Sequence, residues 1–371
     1  MKVGIPREVK NNEFRVAITP AGVHELVRHG HGVVVEQDAG AGSSITDAEY
    51  AAAGAAVLPT ADEVWGAADL LLKVKEPVAE EYHRLRKGQT LFTYLHLAAS
   101  RACTDALLAS GTTAIAYETV ETASRALPLL APMSEVAGRL APQVGAYHLM
   151  RSAGGRGVLP GGVPGTGQGS AVVIGGGVSG WNATQIAVGM GFHVTLLDKD
   201  INKLREADRI FGTKVRTIVS NAYELERAVT GADLVIGAVL IPGARAPKLV
   251  TNELVAKMRP GSVLVDIAID QGGCFEDSRP TTHAEPTFRV HDSVFYCVAN
   301  MPGAVPNTST HALTNATLPY VVELADRGWR EALRRDAALA RGLNTHEGQV
   351  VYREVAQAHD LDHVELGALL G

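Results

Sequence analysis

Glycines carry the clearest chemical signal in this chain. Ala171-Val172-Val173-Ile174-Gly175-Gly176-Gly177-Val178-Ser179-Gly180 is an apolar strand that runs straight into G-x-G-x-x-G and then a helical pattern. In that arrangement Gly175 permits a tight turn, Gly177 lets backbone approach a pyrophosphate, and Gly180 lets the helix sit close on the sheet. The helix start at Val178 then offers free N–H groups and a positive dipole end to an anion. His193 to Asp198 supplies a second strand ending in an acid. Such a carboxylate accepts hydrogen bonds from both ribose hydroxyls of an adenosine, and it repels a 2′-phosphate by about 4 kcal/mol at roughly 4 Å. NAD is therefore expected over NADP, with the neighbouring Lys199 and Lys203 working against that preference.

A second set of residues stands at strand or loop ends. Arg15 lies in the polar loop Asn11-Asn12-Glu13-Phe14-Arg15. Its guanidinium can grip a carboxylate through two parallel bonds. Lys75 closes the run Leu70-Leu71-Leu72-Lys73-Val74-Lys75, where strand alternation sets Lys73 and Lys75 on one side near a carboxyl end. His96 directly follows Leu91-Phe92-Thr93-Tyr94-Leu95. Asp270 closes an apolar strand ahead of Gln271-Gly272-Gly273, with Asp266 inside the strand as a competing acid of more structural character. The next strand ends beside it at Val298-Ala299-Asn300-Met301, a candidate lining for the nicotinamide pocket. Hydride transfer on a small amino or keto acid needs a cation for the carboxylate and a proton donor and acceptor at the oxidised carbon. Arg15, Lys75, His96 and Asp270 meet that need. Taken singly, Arg15 reads equally as a surface ion pair, Lys75 as a solvated strand end and His96 as the partner of a backbone carbonyl.

At 371 residues the chain exceeds what one core usually supports, so two domains are expected. A formal charge of -6 with Lys and Arg scattered among Asp and Glu gives no footprint for nucleic acid or anionic membrane. The start turns charged too early for a signal peptide, and no apolar run approaches the roughly 18 residues of a membrane span. A cytoplasmic protein is expected. Cys103, Cys274 and Cys297 are far apart and lack metal-ligand spacing, so they read as buried reduced thiols, and no metal is expected.

Short Val, Ile and Leu runs alternate with helical patterns, which predicts α/β architecture with parallel sheets. Strands are expected at 2–5, 32–36, 69–75, 90–95 and 113–117, with helices near 20–30, 47–54, 79–86 and 100–110. A long helix from Pro132 to Met150 leads away. The glycine-rich stretch 154–169 reads either as a flexible linker or as a loop lying against the nucleotide domain. Six strands follow, at 171–175, 193–198, 215–219, 233–239, 262–269 and 294–299, the number in a full dinucleotide-binding sheet. From about Thr308 the chain is mainly helical, with a kink or break at Pro319 and amphipathic patterns near 320–339 and 347–358. It holds too few strands for a separate domain. The expected division is thus 1–131 plus 308–371 for substrate, and 132–307 for NAD.

Gly4-Ile5-Pro6-Arg7-Glu8, Asn12 to Ala17, Lys73-Val74-Lys75-Glu76-Pro77, Tyr94-Leu95-His96-Leu97-Ala98, Ala116 to Val120, Pro132 to Gly138, Asp266 to Gly273 and Ala299 to Pro306 together resemble the bacterial L-alanine dehydrogenase family over essentially the whole chain. The resemblance implies two Rossmann-like domains with the active site in the cleft between them, a homohexamer, and reversible oxidative deamination of L-alanine to pyruvate and ammonia with NAD. It implies that Arg15 and Lys75 bind the substrate and that His96 and Asp270 are the catalytic pair. NAD contacts carry over to Ser134, Val178, Asp198, Lys203, Ser220, Val239, Leu240, Ile267, Asp270, Arg279 and Met301, beside Gly175, Gly177, Gly180 and Val298. In one type of family member a His joins Glu323 around magnesium; here the segment reads Glu323-Leu324-Ala325-Asp326-Arg327, and that metal is not expected. The nucleotide-binding subunit of proton-translocating transhydrogenase shares several N-terminal motifs and is the alternative reading. A lysine- or saccharopine-type dehydrogenase is a weaker third.

Overall fold

The computed structural model describes residues 1–239 and 246–371. Contacts divide the chain into two units, Met1–Met133 with Val305–Gly371, and Ser134–Ala304. The first unit begins with β1 (Lys2–Ile5), α1 (Pro20–Arg28), β2 (Gly32–Glu36), α2 (Asp47–Ala52) and β3 (Ala56–Leu58). It continues with α3 (Ala61–Ala67), β4 (Leu70–Leu72), β5 (Thr90–Thr93), α4 (Arg101–Ser110) and β6 (Thr113–Ala116). Helix α5 (Ala131–His148) carries the chain into the second unit. There follow β7 (Ser170–Ile174), α6 (Val178–Gly189), β8 (His193–Asp198), α7 (Ile201–Phe211), β9 (Val215–Val219) and α8 (Ala222–Thr230). Then come β10 (Leu234–Gly237), α9 (Asn252–Ala256), β11 (Val263–Asp266), β12 (Thr287–Val290) and β13 (Ser293–Tyr296). The return to the first unit is made by α10 (Pro306–Arg335), α11 (Ala337–Ala340), β14 (Leu343–His346), β15 (Gln349–Val350), α12 (Arg353–His359) and α13 (Leu366–Leu370).

Each unit holds a parallel sheet with the same doubly wound order, β3-β2-β1-β4-β5-β6 in the first and β9-β8-β7-β10-β11-β13 in the second. The order reverses between β1 and β4, and again between β7 and β10. Connections leave in opposite directions at those points and open a crevice at the carboxyl ends of the strands. Antiparallel strands close one edge of each sheet: β14 and β15 beyond β6, and β12 beyond β13. Every residue of β4, β5 and β6 is buried, as in strands covered on both faces. In the second unit Ala171, Val173, Leu196 and Ile236 enter one core, while Val172, Ile174, Leu197 and Val235 enter the other. That partition is the twofold alternation of a strand.

Local signals explain the helix boundaries. The Thr19 hydroxyl caps α1 ahead of Pro20, Thr46 and Glu49 form a reciprocal capping box on α2, and Ser100 caps α4, which ends at a left-handed Gly111. The expected 79–86 helix is a single tight turn at Tyr82–Arg84, because Glu81 folds back onto the Val78 amide and onto Lys73 instead of starting a helix. The strand expected at 69–75 ends at Leu72, so alternation does not extend to Lys73 and Lys75. Helix α10 passes through Pro319 and breaks instead at Gly328, whose φ of 73° and ψ of 157° suit glycine alone. Buried Thr314, Thr317, Val321 and Leu324 pack on both sides of Pro319 and hold the helix over its one missing rung. The pattern near 347–358 divides into β15 and α12, and strands β3, β12, β14 and β15 and helices α3 and α13 carried no separate signal. Of the two readings for 154–169, the structure has the loop against the second unit: Arg156 donates to the Gly261 carbonyl at 3.0 Å and pairs with Asp233 at 2.6 Å. All three cysteines are buried, and burial pushes each thiol up to about 12.

Candidate active site

In the first unit the sequence-derived residues gather beyond the carboxyl ends of three adjacent strands, with Arg15 in the loop after β1, Lys75 after β4 and His96 after β5. Arg15 is only 2% exposed, which excludes the surface ion pair. Its Nε and Nη2 each donate to a Glu13 oxygen at 2.6 Å, and Nη1 approaches the Met133 sulfur at 2.9 Å. Burial works to raise Glu13, but the Arg15 bonds and charge, with Lys75, outweigh it and hold the carboxyl below its usual range. Glu13, Arg15 and Lys75 together carry one net positive charge, the complement of a single carboxylate.

Lys73 belongs to a different assembly. It is fully buried between Glu8 at 3.1 Å and Glu81 at 2.9 Å, and those carboxylates lift its pKa against the opposing effect of burial. Glu8 also accepts the Val74 amide at 2.6 Å, and the Lys75 amide points at it from 3.4 Å. Glu8 thus fixes the backbone on both sides of Val74 and with it the base of Lys75, which is half-buried.

His96 adopts φ 48° and ψ 38°. A left-handed conformation in a residue other than glycine costs about 1–3 kcal/mol and persists where its surroundings hold it. The holding group is Glu118, whose carboxylate accepts the His96 amide at 2.7 Å. The His96 side chain is 39% exposed, so its ring is open to a ligand. The ring of Tyr94 lies 5.9 Å away and within 8° of parallel, with its hydroxyl anchored on the Leu129 carbonyl at 2.6 Å. Sequence reading gives Glu8, Glu13 and Glu118 no role. For Glu8 and Glu118 the available signal is an acid within a turn of the end of an apolar strand; Glu13 lies deeper in the loop and offers none.

In the second unit the glycine loop follows β7 at the point where strand order reverses. Gly175 has φ 100°, and a Cβ there would lie 2.8 Å from the Ala238 carbonyl and 2.9 Å from a Val239 methyl. At Gly180 a Cβ would lie 1.7 Å from the Gly175 carbonyl, which is the close helix-to-strand approach expected there. Gly177 differs: among the described residues a Cβ would meet nothing within 4 Å. Its small size leaves room in front of α6, whose first residue is Val178. An open helix N-terminus fronted by a glycine fits a dinucleotide pyrophosphate.

Asp198 ends β8 beside this loop. Its Oδ2 accepts the Gly176 amide at 2.6 Å and lies 3.4 Å from Lys203 Nζ, and its Oδ1 accepts the Asp200 amide at 2.8 Å. The Ser220 amide donates to the Asp198 carbonyl at 2.9 Å, which sets Ser220 on the same rim. Val178 is exposed, Val239 and Ile267 are half-buried, and Met301 is buried against the core. Val298 has no exposed surface and is a core residue. Ser134 is half-buried in the first turn of α5, one turn before Gly138, where α5 meets the backbone of Ser179. Arg279 is exposed, with its guanidinium 4.2 Å from the Phe288 ring centre. Asp270 is exposed on the turn Ile269–Gln271 after β11, whereas Asp266 is buried and accepts the amides of Ala268, Cys274 and Phe275. Asp266 thus ties the β11 loop together, and Asp270 is the acid turned to solvent. Leu240 lies outside the described residues.

Among the described residues no group of three or more His, Cys, Asp or Glu is placed to hold a metal, and Glu323 pairs with Arg327 at 2.6 Å. Among them, too, no helix is long and apolar enough to cross a membrane.

Comparison with known proteins gives a consistent result. Residues 4–137 match the model "Alanine dehydrogenase/PNT, N-terminal domain", and residues 141–353 match "Alanine dehydrogenase/PNT, C-terminal domain". The chain is 67% identical over 370 residues to an alanine dehydrogenase of Mycolicibacterium smegmatis, with 100% of each chain covered. It is 70% identical over 356 residues to one of Mycobacterium tuberculosis, with 96% of each covered. A solved L-alanine dehydrogenase superposes with a TM-score of 0.94 at 52% identity, covering 97% of this chain and 99% of the other. A transhydrogenase structure from Sinorhizobium meliloti gives 0.81 at 28% identity, covering 95% and 99%. The chain belongs to the alanine dehydrogenase/PNT family and is, within it, an amino-acid oxidoreductase of the alanine dehydrogenase kind.

Proposed function

We propose that this chain is an NAD-dependent L-alanine dehydrogenase that reversibly converts L-alanine, NAD and water to pyruvate, ammonia and NADH. One observation carries the reading: a buried Arg15, a half-buried Lys75 and an exposed His96 ring stand together at the carboxyl ends of one parallel sheet. A transhydrogenase subunit, which passes hydride between nucleotides, has no use for that substrate site, and relatives at 67% and 70% identity are alanine dehydrogenases.

Gly175, Gly177 and Val178 would cradle the NAD pyrophosphate, and Asp198 and Ser220 would take the adenosine ribose, with Ser134, Lys203, Val239, Ile267, Arg279 and Met301 around them. NAD supplies an acceptor for the hydride that leaves the α-carbon of alanine. Arg15 and Lys75 hold the substrate carboxylate, and their net charge with Glu13 answers its single charge. His96 takes the proton from the water that attacks the substrate imine, and returns it as the carbinolamine collapses to pyruvate and ammonia. Asp270 orients that water and the leaving nitrogen. A homohexamer working in the cytoplasm is the expected form.

Purified protein should form NADH with L-alanine as sole donor at alkaline pH, where release of a proton favours deamination. Across a panel of amino acids alanine should lead, and a protein that instead exchanges hydride only between nucleotides would remove the proposal. Replacing His96 by Ala should lower turnover by at least about a hundredfold with NAD binding retained.

A further inference from the structure

Glu118 has no role in the chemistry above, yet its carboxylate is built into the seat of His96. It stands on the turn Tyr117–Thr119 that follows β6, the strand next to β5. Besides the His96 amide, its two oxygens each lie 3.2 Å from the Leu95 amide. Two consecutive N–H groups therefore converge on one carboxylate, and that convergence fixes the left-handed turn from which the imidazole projects. The same Oε1 lies 3.9 Å from His96 Nδ1. The ring plane is set independently by Tyr94, whose hydroxyl is held by Leu129.

We infer that Glu118 is the positioning residue of His96: its carboxylate holds the left-handed turn that presents the ring and stands on the Nδ1 side of it, which leaves Nε2 as the nitrogen that exchanges protons with water and substrate. The inference rests on His96 being the acid–base group of the proposed reaction. Arg15, Glu13 and Tyr94 are charged or titratable groups near the pair, and among the described residues only Glu118 has an acid oxygen within ion-pair distance of His96 Nδ1.

The test is steady-state alanine deamination in Glu118→Gln and Glu118→Asp, with kcat and KM read separately. Gln retains an oxygen for the two amides but no charge; Asp retains the charge on a shorter arm. Glu118→Gln should lower kcat by about 10- to 100-fold with the KM for alanine within about threefold. Glu118→Asp should recover part of that loss, since the charge is kept, and thermal unfolding of both variants should stay close to that of the parent. A Glu118→Gln enzyme with kcat within about twofold of the parent, or an alanine KM that rises as much as kcat falls, would overturn the inference. Near-normal turnover in His96→Ala is a different result: it would remove the catalytic reading itself, independently of what Glu118 does.

Discussion

Arg15 shows how much a single residue depends on its neighbour. It is buried and doubly bonded to Glu13, so truncating the acid strands a desolvated guanidinium. Loss of one partner in a buried pair costs about 3–5 kcal/mol. Glu13→Gln should therefore lower unfolding free energy by roughly that amount near neutral pH. The sign of the pH dependence follows from the depressed carboxyl. A folded-state pKa below the unfolded value of about 4.3 contributes stability that is present above that value and lost as pH falls through the folded one. Melting curves between neutral and strongly acid pH should show the gap between parent and Glu13→Gln closing on the acid side. A constant gap would mean that the pair is not what the acid dismantles. At this scale the sequence made the placement of Arg15 in a polar loop and of Asp198 at a strand end legible, because the flanking apolar runs mark those positions. It was not legible for Glu13, Glu8 or Glu118, whose partners come from other loops and whose roles exist only once strands are placed side by side.

The glycine loop makes a sharper statement at the scale of an element. Gly180 and Gly177 belong to one motif but serve different ends, the first facing the Gly175 carbonyl and the second facing open space. Gly180→Ala should destabilise the second unit by about 1–3 kcal/mol or more through overpacking. Gly177→Val should leave the melting temperature nearly unchanged while weakening NAD binding, measured by fluorescence or calorimetry. Equal effects of the two on stability would contradict the assigned roles. Strands with continuous apolar runs, and helices with clear caps, were readable in advance because pattern and local chemistry agree there. What escaped were short pieces. β3, β12 and β15 gain their stability from a neighbouring strand, and α10 ignores Pro319 because packing on either side outweighs one lost rung.

For the whole molecule, the contrast between the units is one of continuity. The second is a single stretch, Ser134–Ala304, whereas the first is assembled from both ends of the chain. Expressed alone, residues 134–304 should give a soluble fragment with cooperative thermal unfolding. Residues 1–133 alone should aggregate, because the edge of β6 that β14 covers is then bare. A well-folded 1–133 fragment would show that the C-terminal segment is dispensable for that sheet. That each part of the chain builds a parallel α/β sheet was legible from the alternation of runs, but the shared strand order and the edge strands that finish the first sheet were not.

The pairing of Leu343 with Ile115 has a consequence for how the protein is made. During synthesis the nucleotide half can acquire its shape soon after it leaves the ribosome, while the N-terminal half waits with an unfinished border until the last segment emerges. Premature termination between residues 304 and 343 would thus release a molecule with one sound half and one sticky one, a natural client for chaperones rather than a partly active enzyme.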